Sequence, residues 1–397
     1  MKFSKKLGFL AVLILAVALV AGCGGQPADE GSGDQIAPES IKIGLNYEIS
    51  GAVATYGGNT VNGIELAAKE INANGGVLDG TQIELVKMDN KSDAAEVTNV
   101  QTRLITVENV LASIGPATST NTLAAIPVAM DNEVPLLTTS ATADKVTVDE
   151  ATGAAKEFAF KICFNDSYQG NVGANFVAGS LQLKKAAVYE DTNSDYSKAI
   201  AKVFKESFTA LGGEIVAEES YVDTDQDFKS TLTRIKAANP DVIYLPGYYK
   251  NVGMIVKQAR EIGITVPFVG ADGYDSPELV SLGGAENLNN VFFTNHYSSQ
   301  DTDPTVQKFV GAYKDAYGAE PDSFAALGYD AMYLMADAIN RAGAADSIAI
   351  KDALAATKDF TGITGVLTMD EKHVPVKAVV ILEMKDGKQV FKEKIEP

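Results

Sequence analysis

The chain has 397 residues, 46% of them hydrophobic, which is enough for two domains of ordinary size, each with its own core. That composition excludes a disordered or low-complexity protein. A formal net charge of −19 at pH 7, with no Lys/Arg cluster outside the first six residues, argues against nucleic acid as a partner, because binding a polyphosphate needs a local cationic footprint.

Lys2, Lys5 and Lys6 precede an apolar run over 7–20, the pattern of an export signal. The run is shorter than the roughly 20 residues a membrane-spanning helix needs. Val20-Ala21-Gly22-Cys23 follows, with small residues before a cysteine, and resembles the lipobox of bacterial lipoproteins. That resemblance implies a signal peptide over 1–22 and a lipid on Cys23 that anchors the protein outside the cytoplasm. Residues 23–40, rich in Gly, Ser, Asp, Glu and Pro, then read as a flexible tether.

From 41 onward, short β-branched runs alternate with longer amphipathic stretches, the α/β pattern of a parallel sheet with crossover helices. Strands are expected over 41–45, 83–88, 110–115 and 134–138. Helices are expected over 61–72, where Ile64, Ala67, Ala68 and Ile71 share one face, over 94–108, and after Ser119. A second alternating series begins near Asn165, with strands over 186–189, 214–216, 242–245, 266–270 and 291–293 and helices between them. Helices over 304–317, 324–342 and 348–358 come next, then a hairpin over 378–394 turning at Asp386-Gly387. Two such series imply two Rossmann-like lobes.

Once Cys23 is lipidated, only Cys163 remains in the mature body, so no intramolecular disulfide is expected there. Its neighbours, Phe158-Ala159-Phe160-Lys161-Ile162-Cys163-Phe164, make it a buried strand thiol rather than a nucleophile. His296 and His373 lie in unrelated segments without metal-ligand spacing, so neither a metal nor a cofactor is expected.

Several strings in order resemble the leucine/isoleucine/valine-binding family of extracellular solute-binding proteins, with the type I periplasmic-binding-protein fold. They are Ser50-Gly51-Ala52-Val53-Ala54-Thr55-Tyr56-Gly57, Glu70-Ile71-Asn72-Ala73-Asn74-Gly75-Gly76-Val77, Ile114-Gly115-Pro116, Thr139-Ser140-Ala141-Thr142, Asp166-Ser167-Tyr168-Gln169-Gly170 and Gly247-Tyr248. The likeness implies two lobes joined by a three-crossing hinge. The first would hold 41–165 and 294–377, and the second 166–293 and 378–397. The return of the last segments to the second lobe comes from the resemblance alone.

A zwitterionic ligand needs hydrogen-bond donors at one end and an anion at the other. The turn Pro116-Ala117-Thr118-Ser119-Thr120-Asn121 is expected to offer free amides and hydroxyls at a helix N-terminus, a receptor for a carboxylate. By resemblance, Ser119 supplies a hydroxyl, Ser140 a backbone group, and Thr142 a hydroxyl and an amide. As capping residues, Ser119 and Thr142 have a plainer role. Asp272, where family members can carry the longer Glu, would pair with an ammonium, although a turn Asp before Gly273 is also common. Tyr56, Tyr196 and Tyr248 fall where the family lines its pocket with rings.

The function implied is capture of a branched-chain or similar amino acid for an ABC transporter permease. The alternatives are a ligand-sensing receptor domain or a binder of amides or urea, and the absence of a signalling domain after the last hairpin favours transport. An enzyme is not expected: Ser119 has no His partner, and neither a Gly-x-Ser-x-Gly elbow nor a phosphate loop is present.

Overall fold

The computed structural model describes residues 40–396. The expected signal peptide, Cys23 and nearly all of the tether lie outside these residues. β1 (Ser40–Tyr47), β2 (Gln82–Asp89), β3 (Ala112–Ile114), β4 (Leu136–Thr138) and β5 (Ala159–Lys161) form a parallel five-stranded sheet in the order β2-β1-β3-β4-β5. Helices α1 (Ala54–Ala73), α2 (Ala94–Thr106) and α3 (Ser119–Asp131) link the first four strands.

α1 buries the face read from its spacing, Ile64, Ala67, Ala68 and Ile71, but starts at Ala54 rather than 61. The pair Gly57-Gly58 reads as a break because glycine is a poor helix former. Packing overrides that preference, for the helix lies so close to the Glu48 carbonyl that no Cβ fits at Gly57.

The second sheet is built from β6 (Lys185–Asp191), β7 (Glu214–Tyr221), β8 (Val242–Tyr244), β9 (Phe268–Gly270) and β10 (Val291–Asn295), all parallel, with α4 (Asp166–Asn175), α5 (Asp195–Ala210), α6 (Lys229–Ala237), α7 (Tyr249–Glu261) and α8 (Pro277–Gly283). α5 shows why these elements form. Ser194 caps it by accepting from the Ser197 amide, and Ile200, Ala201, Phe204 and Phe208 make one buried face. Phe204 stacks on Tyr244 of β8 at 3.6 Å between centroids, and each such buried ring contributes about 1.5–3 kcal/mol.

The chain then returns to the first layer through α9 (Pro304–Tyr317), α10 (Ser323–Ala342), α11 (Ser347–Ala355) and a small antiparallel sheet of β11 (Phe360–Gly362), β12 (Gly365–Met369) and β13 (Pro375–Val376). α10 lies along α1 in close contact: Gly63 faces the Ala325 carbonyl and Gly328 the Thr60 carbonyl, with no room for a Cβ at either. β14 (Val379–Lys385) and β15 (Lys388–Ile395) finally add antiparallel to β10, completing a seven-stranded sheet in the order β15-β14-β10-β9-β8-β6-β7. Their hairpin turns at Asp386-Gly387 as read from the sequence, with φ of 51° and 75° at the two residues.

Among the described residues no helix is long and apolar enough to cross a membrane. Cys163 sits two residues past β5 rather than within a strand, and burial pushes its thiol up to about 12, so it is not a thiolate at neutral pH.

Candidate functional site

The loops that follow the strands of the two sheets face each other across a narrow cavity of about 10 Å³. Five of the seven residues singled out from the sequence line it: Tyr56, Ser140, Tyr196, Tyr248 and Asp272. Ala117, Thr118, Gly273 and Phe324 complete the wall. Ser119 and Thr142 are buried and do not line it.

Tyr56, in the first turn of α1, ties the two sides together. Its hydroxyl donates to the Gly273 carbonyl and accepts from the Tyr249 amide at 3.3 Å. Its ring stacks on Phe324 at 4.1 Å and meets Tyr248 and Tyr249 edge-on. Burial pushes the Tyr56 phenol well above its ordinary range, so it stays a neutral donor. Thr55 adds a bond to the Tyr249 hydroxyl at 3.2 Å, and Lys145 pairs with Asp195 at 2.9 Å nearer the rim.

Asp272 is buried, in a short turn after β9. Its Oδ1 accepts from the Tyr196 hydroxyl at 2.8 Å, and its Oδ2 faces His296 Nε2 at 3.0 Å. The Tyr196 hydroxyl in turn accepts from the Gly273 amide at 2.9 Å, and its ring stacks on Tyr248 at 5.2 Å. Burial lowers the His296 pKa more than the Asp272 charge raises it, so the imidazole is neutral at neutral pH. Among the described residues no lysine or arginine pairs with Asp272. A buried carboxylate held only by neutral donors favours a cation beside it.

The other side differs from expectation. The amides of Ala117 and Thr118, read as free, are taken by the chain's own Glu48, which is fully buried. Glu48 Oε2 accepts from Ala117 N at 3.0 Å, and Oε1 from Thr118 N, Thr118 Oγ1 and Asn121 Nδ2 at 3.2, 3.0 and 2.8 Å. A carboxylate is at its most favourable at a helix N-terminus, which is why it settles there. Of the hydroxyls near it, Ser119 keeps a free donor and Ser140 does not. Ser119 Oγ accepts from Ala143 N at 3.1 Å, which leaves its proton to donate, while Ser140 Oγ donates to the Ala117 carbonyl at 2.9 Å. Thr142 Oγ1 is buried without a partner. It lies toward Asp166, whose carboxyl is raised well above its ordinary range by burial first and by Asp272 in addition, with Thr142 and Lys161 acting against the shift.

Gln169 links these groups from below, its Oε1 accepting from Thr294 Oγ1 at 2.6 Å and from Asp272 N at 3.3 Å. A second acidic pair stands beside α10. Asp275 Oδ2 accepts from Asn295 Nδ2 and Ser323 N at 2.8 Å each, while Asp322 caps the helix through Ala325 N at 2.9 Å and holds Asn59 Nδ2 at 2.5 Å. Burial, then the charge of Asp275, push Asp322 up to about 8.

Sequence reasoning missed Glu48, Gln169, His296 and Phe324. Glu48 carried a faint signal, a lone acid ending the apolar run of β1, whereas Phe324 reaches the cavity from a helix with no local mark of function. His296 had been weighed only as a metal ligand. Among the described residues no cluster of His, Cys, Asp and Glu could hold a metal.

A family profile described as periplasmic binding protein matches residues 40–389. The chain belongs to that family. This family member is 43% identical to the branched-chain amino acid transporter substrate binding protein LivJ from Streptococcus pneumoniae, solved in complex with isoleucine, with a TM-score of 0.85 over 90% of this chain and 100% of the other. It is 36% identical to the leucine binding protein LivK from Thermotoga maritima, with a TM-score of 0.84 over 90% and 99% of the two chains. A protein of Pseudomonas aeruginosa named amino acid binding protein is 30% identical over 86% of this chain and 87% of its own length. The fold, two α/β layers with parallel-strand sheets, is that of these structural neighbours, the type I periplasmic-binding-protein fold.

Proposed function

We propose that this protein is the substrate-binding component of an ABC transporter and captures a branched-chain amino acid between its two sheets. The observation that carries the reading is Asp272, a buried carboxylate on the cavity wall with neutral donors only, suited to an ammonium. In this reading Ser140, on the cavity wall, with Ser119 and Thr142 buried outside the lining, would receive the ligand carboxylate, and the rings of Tyr56, Tyr196, Tyr248 and Phe324 would give its aliphatic side chain an apolar wall. The likeness to LivJ, solved with isoleucine, and to LivK supports the ligand class.

In this reading residues 41–165 with 294–377, and 166–293 with 378–397, move as two lobes that close on the ligand, and Cys23 carries the lipid that keeps the protein beside its permease. The protein binds and delivers; it performs no chemistry on the amino acid. Calorimetry of the protein with isoleucine, leucine and valine, and with their deaminated and amidated analogues, tests the proposal. Tight binding is expected only when both ammonium and carboxylate are present. Equal affinity for a deaminated acid, or preference for urea or a short amide, would overturn it.

A further inference from the structure

Three connections run between the two sheets, at 162–165, 296–303 and 377–378, and His296 stands where they meet. Its ring stacks on Phe164 of the first connection at 3.8 Å between centroids and 18° between planes. Its own amide donates to Asn295 Oδ1 at 2.8 Å, which fixes the backbone on the second. Lys377 of the third lies near enough for its charge to help keep the imidazole neutral. The ring therefore has little freedom, and its Nε2 is aimed at Asp272 Oδ2 at 3.0 Å with both side chains buried.

We propose that His296 is a positioning residue for ligand recognition: a neutral donor that fixes the Asp272 carboxylate toward the ligand cation and ties that contact to the segments joining the two sheets. The inference rests on the reading of the cavity as an α-amino-acid site.

The chemistry requires one protonation state. To donate to a carboxylate, the neutral imidazole carries its proton on Nε2, and the lone pair is then on Nδ1, which is buried without a partner. A second proton, on Nδ1, would make His296 a fixed cation beside Asp272 and a competitor of the ligand ammonium. The titratable groups facing the ring are Asp272, Asp275 and Lys377, with Asp166 beyond Asp272. Because burial lowers the His296 pKa, that competition sets in only below the ordinary histidine range, about 6.5. Binding releases the extra proton, so affinity falls as pH drops below the pKa of the ligand-free protein, by up to tenfold per unit.

The experiment is calorimetric titration of the full-length protein with L-isoleucine between pH 4.5 and 8.5, for wild type, His296→Gln, His296→Phe and Asp272→Asn. Melting curves without ligand report folding. His296→Phe keeps the stack on Phe164 and loses the donor, and is expected to bind roughly 10- to 100-fold more weakly at pH 8, the range for removing an orienting partner of a binding group. His296→Gln restores a donor near the Nε2 position, so it should bind within about threefold of wild type at pH 8 and show a shallower acid-side loss. The wild-type profile needs no variant at all. If both His296 variants bind as tightly as wild type, or if wild type and His296→Gln lose affinity in parallel as pH falls, His296 is only a packing residue and the inference fails. If Asp272→Asn binds as tightly as wild type, the amino-acid reading itself fails and carries this inference with it.

Discussion

On the side of the five-stranded sheet, the N-terminus of α3 meets a carboxylate that the chain already owns, Glu48, whereas on the side of the seven-stranded sheet Asp272 meets the same cavity with a phenol and an imidazole for company. The first arrangement satisfies the amides of the helix end before any ligand arrives. The second leaves a buried carboxylate without a lysine or arginine partner among the described residues. In the proposed reading, affinity depends mainly on what the ligand brings to Asp272, and the opposite wall serves orientation and stability of the fold.

Glu48→Ala breaks that comparison most severely on the neutral side. It leaves the buried amides of Ala117 and Thr118 unpaired at about 1–3 kcal/mol each, so a loss of about 3 kcal/mol of stability is expected. Formate, a small carboxylate, should restore part of the melting temperature of this variant and do nothing for wild type. An unchanged melting temperature would show that the helix end does not depend on Glu48.

Tyr56→Phe removes the hydroxyl that joins the two sides through Gly273 and Tyr249 but keeps the stack on Phe324. A loss of ligand affinity of about 0.5–1.5 kcal/mol is expected by calorimetry, with the ligand-free fold nearly unchanged. Loss of the ligand-free fold instead would make Tyr56 a core residue first.

The smallest effect is expected at Asp322, whose carboxyl is raised in the folded protein to about 8. A carboxyl raised by folding stabilises most below its unfolded value, about 4, and that contribution is lost as pH rises through about 8. Asp322→Asn keeps a capping side chain and cannot ionise. Its melting temperature relative to wild type should therefore rise between pH 5 and pH 9, by about 2–4 °C for each kcal/mol relieved. A constant difference across that range would mean that burial and the charge of Asp275 do not raise the Asp322 carboxyl.

Much of the fold was legible in the sequence, because alternating β-branched runs and amphipathic stretches record burial one element at a time. The face of α1, the 304–317 helix and the Asp386-Gly387 turn are cases in point. What escaped was either short, as with α8 and β11 to β13, or long-range, as with the return of β14 and β15 to the second sheet, which only a family likeness suggested. The cavity divides in the same way. Asp272 and the three tyrosines could be placed by resemblance, but Glu48 filling the receptor of α3, and Phe164, His296 and Asp272 meeting across 132 positions of the chain, are products of packing that no local pattern encodes.

The central claim is that the charge of Asp272, not its size, selects the ligand. Asp272→Asn preserves the shape and the contact with Tyr196 while removing the charge. Titrated with L-isoleucine, the variant should lose about 2–5 kcal/mol of binding free energy relative to wild type, the range for breaking a buried charge pair. Titrated with the deaminated acid of the same carbon skeleton, it should bind no more weakly than wild type, and the ligand-free melting temperature should change little. Equal affinity of variant and wild type for L-isoleucine would contradict the account and reduce Asp272 to a turn residue.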